Sequence, residues 1–435
     1  MDTMISWLEN SFAPKLQKVA NLTWIVIIKD SLMQILPFIL SGSIFCCLAI
    51  LNDYVPWLPS FWTPFGWTMG KISLMVAFLI PFNYCEKKRF RKQRIIAGIS
   101  GLILFMIMVN PEVVADGITA AKAFAKDSTA TSAFGQAHNA YGAGGMFAAI
   151  FAGIISGLIF GAFSKFSFFK EDSAIPDFVR QWFDALLPII ITVSLGWVCV
   201  DVIGIDIYQI IVSIFMPLQS FADTWYGLTI IMFLYCVIYS MGISTWVLTP
   251  VIEPVKLQLI AANLSMVAAG TATQANLHVF TETFIYTTYM WIGGVGATLS
   301  LVVLMCFSKS SELKALGRAC LVPGIFNINE PVVFGAIAWN PLLMLPMWIQ
   351  GIVIPLFTWL FTKVIPFAPI PRIQFELWYC PYPISTFIST QGSIAGVIFA
   401  VATFVLSGII WFPFLKAYED RLLKDEQKEL EGQKA

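Results

Sequence analysis

Charge is what this chain has least of. Only 12% of its 435 residues are Asp, Glu, Lys or Arg, against a hydrophobic share of 58% and a mean hydropathy of +0.78. A soluble domain carries about 25% charged residues, so a water-soluble globule is excluded. Histidine is scarcer still, with only His138 and His278. The eight cysteines (Cys46, Cys47, Cys85, Cys199, Cys236, Cys306, Cys320, Cys380) form no CxxC pair. Neither a metal site nor a disulfide framework is indicated, and they read as packing residues. No cofactor is implied. The formal net charge is zero, which points to no nucleic acid. A cleavable signal peptide is not expected either, because Asp2, Glu9, Lys15 and Lys18 interrupt what would be its apolar core. Met1 to Ala20 reads instead as an amphipathic helix lying on membrane lipid.

What is present is apolar sequence in long blocks, such as Ser31 to Leu51, Ile189 to Val200 and Leu299 to Phe307. A bilayer core needs about 20 mainly apolar residues per helix. Candidate spans fall at 31–51, 67–85, 95–109, 142–163, 188–205, 226–247, 255–277, 286–307, 332–361 and 393–415. The expected fold class is therefore an all-α polytopic membrane protein of about ten transmembrane helices. Orientation follows from the basic block Lys87, Lys88, Arg89, Arg91, Lys92 and Arg94, which should face the cytoplasm. The connections at 52–66 and 206–225 hold acids but no Lys or Arg, as external loops should. Both termini come out cytoplasmic if the number of crossings is even. Segment 255–277 decides that parity and is poor, with Lys256, Gln258, Asn263, Thr271, Thr273 and Gln274. It suits a re-entrant hairpin or a helix buried in protein, although Lys309, Lys314 and Arg318 favour a crossing there.

Residues 110–140 read as a long external loop, and 366–391 hold five prolines with Arg372, Glu376 and Trp378. A second interfacial amphipathic helix is expected over 175–187, with Phe178, Val179, Trp182, Phe183 and Leu186 on one face. It divides the chain into an N-terminal half, 1–187, and a C-terminal half, 188–415. The tail 416–435 alternates charges and should be solvated.

Ionisable residues inside apolar segments are costly and mark sites by default. The second half holds Glu253, Glu282 and Glu330, and the first and last share the pattern Glu-Pro-Val. Paired broken segments point to a transporter site at a repeat interface, although each Glu could equally cap a half-helix. The densest signal is Pro323-Gly324-Ile325-Phe326-Asn327-Ile328-Asn329-Glu330-Pro331, two amides and a carboxylate interrupting an apolar run. Such groups bond vicinal sugar hydroxyls, and aromatic faces such as Trp246, Trp339 and Trp378 stack on pyranose rings.

At this motif the sequence resembles the membrane IIC subunits of phosphotransferase-system sugar transporters, in the lactose/cellobiose/chitobiose family. The resemblance rests on Gly324 to Pro331 with Gly335 and Asn340-Pro341. It extends to Lys29-Asp30, Pro37, Ser41-Gly42-Ser43, Gly142 to Ile150, Ile175 to Pro188, Thr281-Glu282, Phe284 and Trp291 to Leu299. It implies a homodimer joined through the first half, and a sugar carried by the second half between hairpin tips. It also implies a cytoplasmic phospho-IIB partner that phosphorylates the cargo, so that any enzymatic role is as part of that complex. The implied site is Glu330 with Asn327, Asn329, Ser244, Thr245, Trp246, Glu282 and Trp378. One departure stands out. The family's Gly-Ile-His-Gly loop is here Gly242-Ile243-Ser244-Thr245, without histidine, and an expected Asn-Pro is Glu253-Pro254. Serine near neutral pH is no general base unless activated. Glu253 or His278 would then take the missing role, or the protein moves or senses sugar without phosphorylating it. An ion-coupled secondary transporter using the three glutamates is the rival reading. A membrane-embedded transferase would want a nucleotide loop or an Asp pair, and neither is found.

Overall fold

The computed structural model describes residues 21–51, 57–109, 140–169 and 176–432, with Pro14, Lys15 and Lys18 besides. The surface helix expected over 1–20 lies outside these, as do nearly all of the 110–140 loop, His138 included, and the start of the 175–187 helix. The described residues contain helices and no strand. The first half comprises α1 (Thr23–Leu51), α2 (Trp62–Thr68), α3 (Ile72–Lys87), α4 (Arg94–Val109) and α5 (Met146–Ala162), followed by α6 (Asp177–Trp197). Lipid offers no partner to a polar group, so hydroxyls on such helices bond their own backbone. On α1, Ser31, Ser41 and Ser43 donate to the carbonyls of Ile27, Pro37 and Ile39 at 2.8, 2.7 and 3.1 Å. Small residues bring helices close. A Cβ at Gly153 of α5 would sit 2.8 Å from the Ile80 side chain of α3.

The second half runs α7 (Ile207–Ala222), α8 (Trp225–Ser240), α9 (Thr249–Ala268), α10 (Leu299–Cys306) and α11 (Ser311–Ile325). The short α12 (Glu330–Val332), α13 (Pro341–Trp359), α14 (Ile384–Ser389) and α15 (Ile394–Gly432) complete it. Helix α8 packs along α13, and α13 along α15.

Several expectations need correction. Seven helices among the described residues are long and apolar enough to cross a membrane, or eight with the pair α7 and α8, which meet at 87°. The expected ten is thus not reached among the described residues. Helix α4 is short, and 286–307 is not one span. Its first part is a wide helical turn, Thr283–Tyr289, and residues 290–298 follow as irregular backbone. Gly293, Gly294 and Gly296 there hold φ of +85°, +96° and +85°, a region open mainly to glycine. The stretch 206–225 is not a loop, since α7 occupies most of it. The amphipathic 175–187 segment is no separate element, because α6 runs unbroken through Pro188. Likewise α15 carries the helix straight into the charged tail, to Gly432. The doubtful 255–277 segment is a helix from Thr245 to Ala268, and its Lys256, Gln258 and Asn263 are buried in protein.

The proline-rich stretch 366–391 is packed into the protein. Ile373, Gln374, Phe375 and Glu376 are buried. Thr283 and Thr287 hold Phe375 from both sides, the Phe375 N donating to Thr283 Oγ1 at 3.1 Å and Thr287 Oγ1 donating to its carbonyl at 3.0 Å. Tyr382 Oη donates to the Tyr286 carbonyl at 2.9 Å, and Thr386 Oγ1 to that of Thr288 at 2.7 Å. Two irregular segments thus satisfy each other's backbone inside the protein, the condition for non-helical chain at membrane depth.

Candidate functional site

A cleft opens where these irregular segments meet α8 and α9. It spans about 710 Å³, open solvent included. Helix α9 and the turn before it contribute Thr245, Trp246, Thr249, Glu253 and Lys256. From Trp246 onward they are spaced 3, 4 and 3 residues apart and so share one helical face. Helix α8 adds Tyr235 and Tyr239, one turn apart, and the 281–289 turn adds Glu282 and Tyr286. Asn327, Asn329 and Glu330 come from the hairpin before α12, and Trp378 from the proline-rich stretch. The structure therefore brings together every expected site residue except Ser244.

Their electrostatics divide them. Lys256 Nζ is 2.7 Å from Glu253 Oε2 and also bonds Glu282 Oε2. It lies 5.0 Å over the Tyr286 ring. One buried ammonium thus ties two carboxylates and joins α9 to the 281–289 turn. Glu330 is different. It opens α12 and is exposed to the cleft, and it has no hydrogen bond or ion pair among the described residues. Its oxygens are free to accept. A further buried carboxylate, Glu376, accepts from Gln374 Nε2 at 2.7 Å, while its backbone N donates to Ser43 Oγ at 2.9 Å.

The two amides are scaffold as well as wall. Asn327, at φ +60°, donates through Nδ2 to the Trp378 and Cys380 carbonyls at 2.6 and 3.1 Å. Its Oδ1 accepts from Gly293 N at 2.8 Å. Asn329 Nδ2 donates to the Val295 carbonyl at 2.9 Å and to Thr298 Oγ1 at 3.1 Å. Both amide hydrogens of each are taken, so these side chains set the hairpin's position and have no donor left for a ligand.

The two stand-ins for the missing histidine fare differently. His278 does not line the cleft. Its Nδ1 lies 2.7 Å from Asp223 Oδ2, and the same Asp223 accepts from Val279 N and Phe280 N at 2.8 and 3.0 Å. That group fixes the chain at the bend between α7 and α8. Glu253 lines the cleft but is held by Lys256. Ser244 faces a neighbouring recess lined by Lys29, Asp30, Met33, Gln34 and Trp246. Trp246 is the wall shared by recess and cleft. Sequence reasoning missed Lys256, Tyr235, Tyr239 and Tyr286 as site residues. Spacing of 3 and 4 with Glu253, between Tyr235 and Tyr239, and between Glu282 and Tyr286 carried that signal.

The family model for the phosphotransferase system, EIIC, matches residues 29–351. The chain belongs to that family. The lactose-specific EIICB component of Staphylococcus epidermidis is 26% identical over 98% of this chain and 72% of that protein. The cellobiose-specific EIIC component of Geobacillus stearothermophilus is 27% identical over 98% and 97%. Among solved structures, the transporter ChbC superposes with a TM-score of 0.81 at 25% identity, covering 97% of this chain and 99% of that one. ChbC is the IIC component of an N,N'-diacetylchitobiose-specific phosphotransferase system. This EIIC chain is accordingly a membrane permease of the phosphotransferase system, with a sugar as cargo and a cytoplasmic IIB protein as partner. Membership sets aside the ion-coupled reading.

Proposed function

We propose that this EIIC chain takes up a β-linked disaccharide of the lactose, cellobiose or diacetylchitobiose kind, working by alternating access as a homodimer with both termini cytoplasmic. The observation that carries the sugar assignment is Glu330, a carboxylate without a partner among the described residues, in a cleft walled by Trp246 and Trp378. Carboxylate oxygens accept from adjacent sugar hydroxyls, and indole faces cover the apolar faces of the rings. Glu282, Thr245, Asn327 and Asn329 complete the walls. Glu253, already paired with Lys256, is a wall residue in this reading. Calorimetric titration of the purified protein with lactose, cellobiose and N,N'-diacetylchitobiose tests it. At least one should bind, and all should compete for one site. A protein that binds none of the three, while remaining folded, would end this assignment.

A further inference from the structure

Phosphoryl transfer to a sugar hydroxyl needs a group to accept the hydroxyl proton and a cation to steady the moving charge. In the cleft Glu253 and Lys256 hold each other and Glu282 shares the same ammonium, so the cation there is taken, and Glu330 is assigned above to the sugar's own hydroxyls. His278 is committed to Asp223. Directly across the Trp246 wall lies the recess of Lys29, Asp30, Met33, Gln34, Ser244 and Trp246, about 670 Å³ with open solvent included.

Three observations single this recess out. Lys29 and Asp30 are the only charged residues in the 29 of α1, an otherwise apolar helix, and intramembrane charges mark sites by default. Their mutual contact is loose, 3.7 Å with both side chains over a third exposed. A pair of that kind adds little stability, so folding does not explain it. The recess also lies near the basic edge of the protein. Trp24, five residues before Lys29, stacks on Tyr84 near the end of α3 at 4.7 Å between ring centroids, and the Lys87–Arg94 block follows directly. Five residues of helix are about 8 Å. A soluble protein meeting that edge is thus within reach of the recess.

We propose that Asp30 and Lys29, facing Ser244 across this recess, supply the proton acceptor and the phosphoryl-steadying cation for sugar phosphorylation. This rests on the permease reading above. A sugar hydroxyl oxygen attacks the phosphorus of the phosphorylated IIB protein and the O–P bond forms. The bond from phosphorus to the IIB side chain breaks, its electron pair leaving with that side chain. The hydroxyl proton passes to the Asp30 carboxylate and then to water. Lys29 lies against the phosphoryl oxygens throughout.

The test uses the full chain in vesicles with phosphorylated IIB protein and labelled cellobiose or N,N'-diacetylchitobiose, following sugar affinity and phosphorylated product separately. Asp30→Asn should cut product formation by about 100-fold or more, the lower end of general-base contributions, with affinity within about twofold. Lys29→Gln should show the same split. Adding Ser244→His to Asp30→Asn should restore at least a tenth of native turnover, since both positions line one recess. The restored activity should rise with pH through about 6.5, because only neutral imidazole accepts a proton. Native turnover in Asp30→Asn overturns the proposal. So does a native protein that binds sugar and forms no phosphorylated product, while the permease reading stands. Absence of sugar binding by the native protein would remove the cleft assignment first and this inference with it.

Discussion

At the scale of single residues, the site contrasts carboxylates that are spoken for with one that is not. Glu253 and Glu282 share Lys256, whereas Glu330 has no partner among the described residues. Charge-assisted hydrogen bonds are worth about 1.5–3 kcal/mol, so Glu330→Gln should weaken sugar binding about 10–150-fold. The variant should stay folded, because no protein group loses a bond. Calorimetry against the wild type measures this, and unchanged affinity would remove Glu330 from the sugar site. Lys256 calls for the opposite result. Removing one partner of a buried ion pair strands the other and costs about 3–5 kcal/mol. Lys256→Met should therefore lower the melting temperature in detergent well beyond Lys256→Arg. A Met variant as stable as the parent would show that the ammonium does not hold the two segments together.

At the scale of elements, the sequence announces some features and hides others. The Pro323 to Pro331 stretch is legible as a broken helix, because its proline, glycine and amides interrupt an apolar run. The face made by Trp246, Thr249, Glu253 and Lys256 is legible from spacing alone. The partners of Asn327 and Asn329 are not. Their amide hydrogens go to groups 31 to 53 residues away, and no local pattern specifies such contacts. The packing of the proline-rich stretch is hidden for the same reason. Its backbone is satisfied by Thr283 and Thr287, some 90 residues earlier. Helix counting fails at 286–307 because hydropathy registers apolar residues and not the left-handed glycines that unwind them.

At the scale of the whole molecule, membrane placement and coupling are properties of the intact protein. The turn between α3 and α4 carries the densest basic charge, so it should face the cytoplasm. A cysteine introduced by Arg91→Cys should resist a membrane-impermeant maleimide added to intact cells and react after lysis. Efficient labelling from outside would invert the orientation. The central claim is that this EIIC chain moves a sugar through the Glu330 cleft and hands it to phosphoryl transfer beside Ser244. Uptake of labelled disaccharide into membrane vesicles, with and without phosphoenolpyruvate and the soluble phosphotransfer proteins, tests it most directly. The account predicts that phosphoenolpyruvate raises accumulation, that the accumulated label is sugar phosphate, and that Glu330→Gln abolishes the rise. Accumulation of free sugar driven by a proton or Na⁺ gradient, indifferent to phosphoenolpyruvate, would contradict it.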